Sequence, residues 1–248
     1  MRKNKNGLLA FPFEGLLSGT AIDPIEKKPL YHYHPGDTVF SVGFYGCNFR
    51  CPFCQNYAIS QQVLDGSDRV PPQQLAELAN QRGSFAIAYT YSEPLVHYEY
   101  LLEACTHARN SGLKNILVTN GYINAEPAAT LLEVVDAANV DLKAFSETFY
   151  KNEIKGSRDP VLQFIRMAAA SVHLEVTTLV IPDRTDSYSE IEKIAQFLGG
   201  INPDIPLHLS CYYPTYRYTI PATSPEQVFR LVEVAKRHLN YVYPGNVG

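Results

Sequence analysis

The stretch TVFSVGFYGCNFRCPFCQN, Thr38 to Asn56, carries both the fold signal and the chemistry. Its first part, Thr38 to Tyr45, is a run of apolar, β-branched and aromatic residues long enough for a strand buried on both faces. The chain then turns at Gly46 into a loop holding Cys47, Cys51 and Cys54 at spacing CxxxCxxC. Thiolates so close in one loop can converge on one metal centre, and three of them satisfy three irons of a cubane cluster while leaving the fourth open. An open position admits a ligand, whereas a closed site is structural.

Working outward, similar runs recur at Phe85 to Thr90, Asn115 to Thr119, Asn139 to Leu142, Val172 to Ile181 and Pro206 to Cys211. Helix-like segments lie between and after them: Pro72 to Arg82, Pro94 to Ser111, Glu126 to Ala137, Pro160 to Ala170, Tyr188 to Leu198 and Pro225 to Leu239. Several open with proline, which loses nothing in the first helical turn, and Ser224 with Gln227 three residues on makes a cap. Repeated βα units predict a parallel sheet with helices packed on it. About six units point to an open or partial barrel rather than a closed eightfold one, with a doubly wound sheet as the competitor. In either architecture ligands collect at the carboxyl ends of the strands.

The composition is that of an ordinary globular protein: 248 residues, 46% hydrophobic, 19% charged, net charge −4. That balance gives no bulk basic field for nucleic acid or an anionic membrane. No run approaches the ~18 apolar residues of a membrane span. The start fails as a signal peptide because Pro12 and Glu14 interrupt its short apolar run, so a cytoplasmic location is expected. With no repeat or linker, residues 1–248 read as a single domain, with residues 1–37 an N-terminal extension packed on the barrel.

Blander readings of the cysteines exist. A structural zinc site needs a fourth ligand, which His32 or His34 could offer. A four-cysteine electron-transfer cluster needs Cys105 or Cys211, of which the first sits in a helix-like segment where a cysteine is usually a small buried hydrophobe.

CxxxCxxC with an aromatic, Phe53, before the last cysteine resembles the signature of the radical S-adenosylmethionine (SAM) enzymes. The segments DPIEKKPLYHYHPG (23–36), YTYSEP (89–94), TNGYI (119–123), VDLKAF (140–145), HLEVTTLVIP (173–182) and YVYPGNV (241–247) extend the resemblance. They are similar to the radical SAM member of the AmmeMemoRadiSam group, close to the pyruvate formate-lyase activating enzymes. The resemblance implies a partial (β/α)6 barrel, a [4Fe-4S] cluster on Cys47, Cys51 and Cys54, and SAM chelating the fourth iron. It further implies reductive cleavage of SAM to a 5′-deoxyadenosyl radical that abstracts hydrogen from an unidentified substrate. A reducing partner such as flavodoxin or ferredoxin would supply the electron.

The same resemblance distributes roles. Glu93, where related enzymes carry Gly-Gly-Glu, would accept hydrogen bonds from the SAM ammonium, although Tyr91 and Ser92 replace the glycines; its alternative reading is a helix N-terminal acid. Lys143 suits the SAM carboxylate, and Thr119 and Asn120 the ribose or methionine end. Asp141 is half of a monovalent-cation site whose other aspartate is Val118 here. Glu175 and Thr177 share one face of their strand by the two-residue period, so if Thr177 faces the lumen Glu175 does too. After the run ending at Cys211, related sequences place histidine at Tyr213 and arginine at Cys211; Cys211, Tyr213, Tyr216 and Arg217 are therefore expected to rim the mouth and touch substrate. Members of the group often continue beyond GNV, so the resemblance implies a C-terminal substrate element that is either absent here or supplied by a partner. The competing functions are a glycyl-radical-enzyme activase acting on a partner protein and a non-catalytic iron-sulfur electron-transfer protein.

Overall fold

The structure, a computed structural model, describes residues 3–61 and 69–248. A short hairpin, β1 (Lys3–Lys5) and β2 (Leu8–Ala10), stands apart from the main sheet. The main sheet contains β3 (Leu17–Pro24), β4 (Thr38–Phe44), β5 (Ala86–Thr90), β6 (Lys114–Thr119), β7 (Ala137–Asp141), β8 (His173–Val180), β9 (Leu207–Cys211) and β10 (Val242–Gly245). The helices are α1 (Tyr57–Ser60), α2 (Pro72–Gln81), α3 (Tyr98–Asn110), α4 (Ala125–Leu132), α5 (Glu147–Phe149), α6 (Arg158–Ser171), α7 (Tyr188–Gly199) and α8 (Pro225–Ala235). Among the described residues no helix is long and apolar enough to cross a membrane.

Strand order decides the architecture. From β3 to β10 each strand pairs with its sequence neighbour; β3 is antiparallel to β4 and every later pair is parallel. A doubly wound sheet reverses its order at a switch point, and this one never does. Right-handed crossovers in one direction put all the helices on one face, so the sheet curls around its bare face as a partial (β/α)6 barrel over β4 to β9. Helix starts follow the sequence signals: Ser224 accepts from Gln227 N, Ser187 from Glu190 N, and prolines open α2 and α8.

Alternation along the strands sorts the two faces. On β8, Leu174, Val176 and Val180 join the helix-side core, while Thr177 and Leu179 face the lumen. Lumen positions low in the barrel are occupied by Val39, Ala86, Ala88, Ile116 and Ala137, which pack with Ile25 and Leu30. The alanines leave the space that the extension fills. Residues 17–24 thus enter the sheet, and Ile25 and Leu30 of the segment that follows plug the lower lumen. Asn139 Nδ2 donates to Pro29 O at 2.8 Å, and Glu175 Oε1 accepts from His32 N at 2.8 Å. Glu175 is fully buried and also receives His173 Nε2 at 3.0 Å and His208 Nε2 at 2.6 Å. Burial alone would raise its pKa, but these donors bring it down from 4.5 to about 2.

Leu30→Ala should lower unfolding free energy by about 2–5 kcal/mol in urea titrations, because the plug loses a fully buried side chain. The depressed pKa of Glu175 means its contribution is present above about pH 4.5 and lost as pH falls toward about 2. The stability gap between the wild type and Glu175→Gln should therefore shrink by roughly 3 kcal/mol across that range, as read by denaturant unfolding at each pH. A pH-independent gap would show that the carboxylate charge does not tie plug to barrel.

Candidate active site

The upper lumen, above the plug, is a cavity of about 700 Å³. Its wall includes Cys47, Cys51, Cys54 and Phe53 from the loop after β4, Glu93 after β5, Asn120 after β6, and Asp141 and Lys143 at the end of β7. Carboxyl ends of successive strands thus converge on one space, as the βα pattern requires.

The cysteine loop leaves β4 at Gly46, whose φ of +93° is reached without strain by glycine. The loop is fixed by short polar contacts: Phe49 N donates to Cys47 Sγ at 3.3 Å, and Cys54 Sγ lies 3.2 Å from Ser60 Oγ. Asn120 Nδ2 donates to Asn48 Oδ1 at 2.8 Å, and Asn48 Nδ2 to Tyr122 O at 2.8 Å, stitching this loop to the one after β6. Phe53 is buried against Phe149 and Tyr218. Burial pushes the Cys51 thiol up to about 12, a rise that the Lys143 ammonium moderates. Cys47 is driven up further by burial and the Glu93 carboxylate. Buried thiols of this kind ionise when a metal offsets the charge. Among the described residues no three Cys, His, Asp or Glu side chains are placed to hold a single metal ion. Three thiols on one cavity wall fit a polynuclear group taking one thiolate per iron. Cys105 and Cys211 are both fully buried in the core. His32 bonds Tyr243, and His34 stacks on Phe85.

Glu93 caps a short helical turn by accepting from Leu95 N at 3.1 Å, and it also accepts from Thr119 Oγ1 at 2.5 Å and Asn120 N at 2.8 Å. Both its oxygens are engaged, yet it still lines the cavity, and burial raises its pKa to about 7. Lys143 Nζ pairs with Asp141 Oδ2 at 2.8 Å. Burial alone would lower the Lys143 pKa, but Asp141 and the Cys51 and Cys54 sulfurs hold it above its ordinary value. Tyr91 takes φ +68°, a conformation that suits the glycine expected there. It is held by its hydroxyl donating to Asp23 at 2.5 Å and by Lys28 Nζ 4.6 Å from its ring. Gly43 leaves the room: a Cβ there would lie 2.7 Å from the Tyr91 ring.

Several expected site residues do not reach the cavity wall. The Thr119 hydroxyl is spent on Glu93. Glu175 faces the lumen but is sealed behind His32, His173 and His208. Thr177 does line the cavity, with its hydroxyl donating to Asn139 Oδ1 at 3.0 Å. Tyr213 is exposed and donates to Asn246 O, because past β9 the buried Tyr212 takes the inward position and Tyr213 turns outward. Cys211 faces the core rather than the rim. Tyr216 stacks on Tyr57, and Arg217 lies over Tyr216, so this loop packs on the cysteine loop. Lys28, His208, Ser210 and Asn246 line the cavity without having been given a role from the sequence. The two-residue period of β9 was the available signal for His208 and Ser210.

Comparison with known proteins agrees with this geometry. An uncharacterised protein of Methanocaldococcus jannaschii is 38% identical over 252 residues, covering 99% of this chain and 75% of its own length. A second protein of that organism, provisionally named a glycyl-radical enzyme activating enzyme, is 27% identical over 80% of this chain and 77% of its own length. The crystal structure of a domain of pyruvate-formate lyase-activating enzyme from Bacteroides vulgatus superposes with a TM-score of 0.58 at 18% identity, over 65% of this chain and 99% of that one. The family model for the Radical SAM superfamily matches residues 41–198, from the strand before the cysteine loop to the end of α7, and this chain belongs to that superfamily.

Proposed function

We propose that this chain is a radical SAM enzyme holding a [4Fe-4S] cluster on Cys47, Cys51 and Cys54 and SAM beside it. The observation that carries the reading is the convergence of these thiols with Glu93, Asn120 and Lys143 on one cavity. When bound, the pair supplies reductive cleavage of SAM to a 5′-deoxyadenosyl radical that abstracts hydrogen from substrate. Everything else is the work of the chain. Lys143, held charged by Asp141, offers a cation to the SAM carboxylate. Glu93 offers its cavity-facing carboxylate edge to the ammonium, and Asn120 and Thr177 offer polar atoms to the methionine and ribose end. Thr119 orients Glu93. Of the two aspartates that hold a monovalent cation in the resembled enzymes only Asp141 is present here, and it is paired with the Lys143 ammonium. Walls formed by Phe53 and Leu179 limit water around the reacting centre.

A second reading, activation of a glycyl-radical enzyme, is favoured by the relative named as an activating enzyme, and there the substrate is a partner protein's backbone. Flavodoxin or ferredoxin is the class of reductant in both readings. An electron-transfer protein would hold the cluster but leave SAM intact.

Reconstituted protein should carry one cluster per chain by iron and sulfide analysis. Cys47→Ala, Cys51→Ala and Cys54→Ala should each lose it, while Cys105→Ala keeps wild-type iron, because Cys105 packs in the core. Retained SAM without 5′-deoxyadenosine after reduction would support the electron-transfer reading instead. Lys143→Ala and Glu93→Gln should weaken SAM binding roughly tenfold to a hundredfold with iron content intact, each removing a charge-assisted contact. Unchanged calorimetric affinity in both variants would displace SAM from this part of the cavity.

A further inference from the structure

A row of polar side chains crosses the lumen face of the sheet. Asp141 of β7 is in register with Thr177 of β8, Thr177 with His208 of β9, and His208 with Tyr243 of β10. The row starts beside Lys143 and runs away from the strand that carries the cysteine loop. His208 lines the cavity and is 2% exposed. Its Nε2 lies 2.6 Å from Glu175 Oε2, and an ionised carboxylate only accepts, so the hydrogen sits on Nε2. In the neutral ring Nδ1 is then the remaining polar atom, with a lone pair to offer.

The surroundings of His208 are aromatic. Tyr31 meets its ring edge-on at 4.6 Å between centroids, and Tyr243 stacks on it at 5.5 Å. Tyr31 and Tyr243 are themselves 5.1 Å apart, and Tyr31 remains 36% exposed while lining the cavity. Tyr243 is fixed in turn by its hydroxyl 2.6 Å from His32 Nε2. A buried carboxylate with two imidazoles is a costly way to fill a barrel, since apolar residues of the same volume would serve stability as well. The plug needs from Glu175 acceptors for the His32 and Tyr31 amides and from His208 a ring for Tyr31 to pack on, and none of these contacts uses His208 Nδ1.

We propose that His208, oriented by Glu175, recognises the substrate in this cavity, and that the substrate presents a hydrogen-bond donor on a planar ring, of the phenol class. The ring packs against Tyr31, and its hydroxyl donates to His208 Nδ1. Glu175 is a positioning residue: it fixes the imidazole tautomer and touches no ligand. This inference rests on the reading of the cavity as the active site but concerns residues apart from those assigned to SAM and the cluster.

The test uses the reconstituted full chain with p-cresol as probe and 4-methylanisole, its methyl ether, as the control lacking the donor. Wild-type protein should bind p-cresol saturably and about tenfold more tightly than the ether in ligand-observed NMR titrations. His208→Phe should bring that ratio to about one. His208→Asn, which keeps a polar atom at the Nδ1 position, should retain a preference for p-cresol, and His208→Gln, which keeps one only at the Nε2 position, should lose it. This pair carries the test if the Phe variant does not fold. In Glu175→Gln, 15N-histidine spectra should show His208 losing its Nε2–H tautomer, with p-cresol affinity falling severalfold. SAM affinity and iron content are measured in parallel. If those fail in the wild type, the SAM reading falls while the cresol-to-ether ratio still reports on the dyad. No saturable p-cresol binding, equal binding of the two probes, or the same ratio in the Asn and Gln variants would overturn the proposal.

Discussion

A parallel sheet whose strands follow one another in sequence order receives all its crossover helices on one face. The other face must then be covered by something else, or curl upon itself. Here it does both. β4 to β9 curl into a partial barrel, and Ile25 and Leu30 fill the lower lumen against inward alanines. The cavity is what remains above that plug, and its floor is therefore set by the N-terminal extension. Lys28, Pro29 and Tyr31 of that segment face the same space as the cysteines.

Several of the charged side chains around the lumen are buried, so each of these has to be matched. The pairs are specific: Asp141 with Lys143, Asp23 with Lys28 and the Tyr91 hydroxyl, Glu175 with two histidines and a backbone amide. Glu93 is matched by a hydroxyl and two amides rather than by a cation, which is why burial still lifts its pKa to about 7. The consequence is a cavity whose polar groups are held in place before anything binds. Such preorganisation is what a site that must exclude water and orient a reactive fragment requires.

The departures from the resembled pattern have local explanations in the fold. Tyr91 stands in a backbone conformation that suits glycine, and the space made by Gly43 together with the bonds to Asp23 and Lys28 holds it there. The loop after β9 spends Tyr216, Arg217 and Tyr218 on the cysteine loop and its flanks rather than on the cavity. The polar lining of the cavity away from the cysteines therefore comes from the inner face of β8 and β9 and from the plug rather than from that loop.

The parts legible in the sequence are those encoded within a few residues. The six parallel runs and their helices, the cysteine loop and the placement of Glu93, Asn120 and Lys143 after strand ends all follow from periodicity, proline and cap positions, and motif spacing. The lumen face was not legible on most strands, because runs buried on both sides carry no alternation to read. Nor were β3 and β10, since β3 is an edge strand with mostly exposed or half-buried residues and β10 is only four residues long. Segment 25–36 reads as a loop, and only the closed lumen makes Ile25 and Leu30 a core. Glu175 and His208 lie 33 residues apart and meet only through the lateral register of β8 and β9. Cross-strand register is a tertiary quantity, fixed by how the sheet curls and by what fills it, and no local spacing in the chain encodes it.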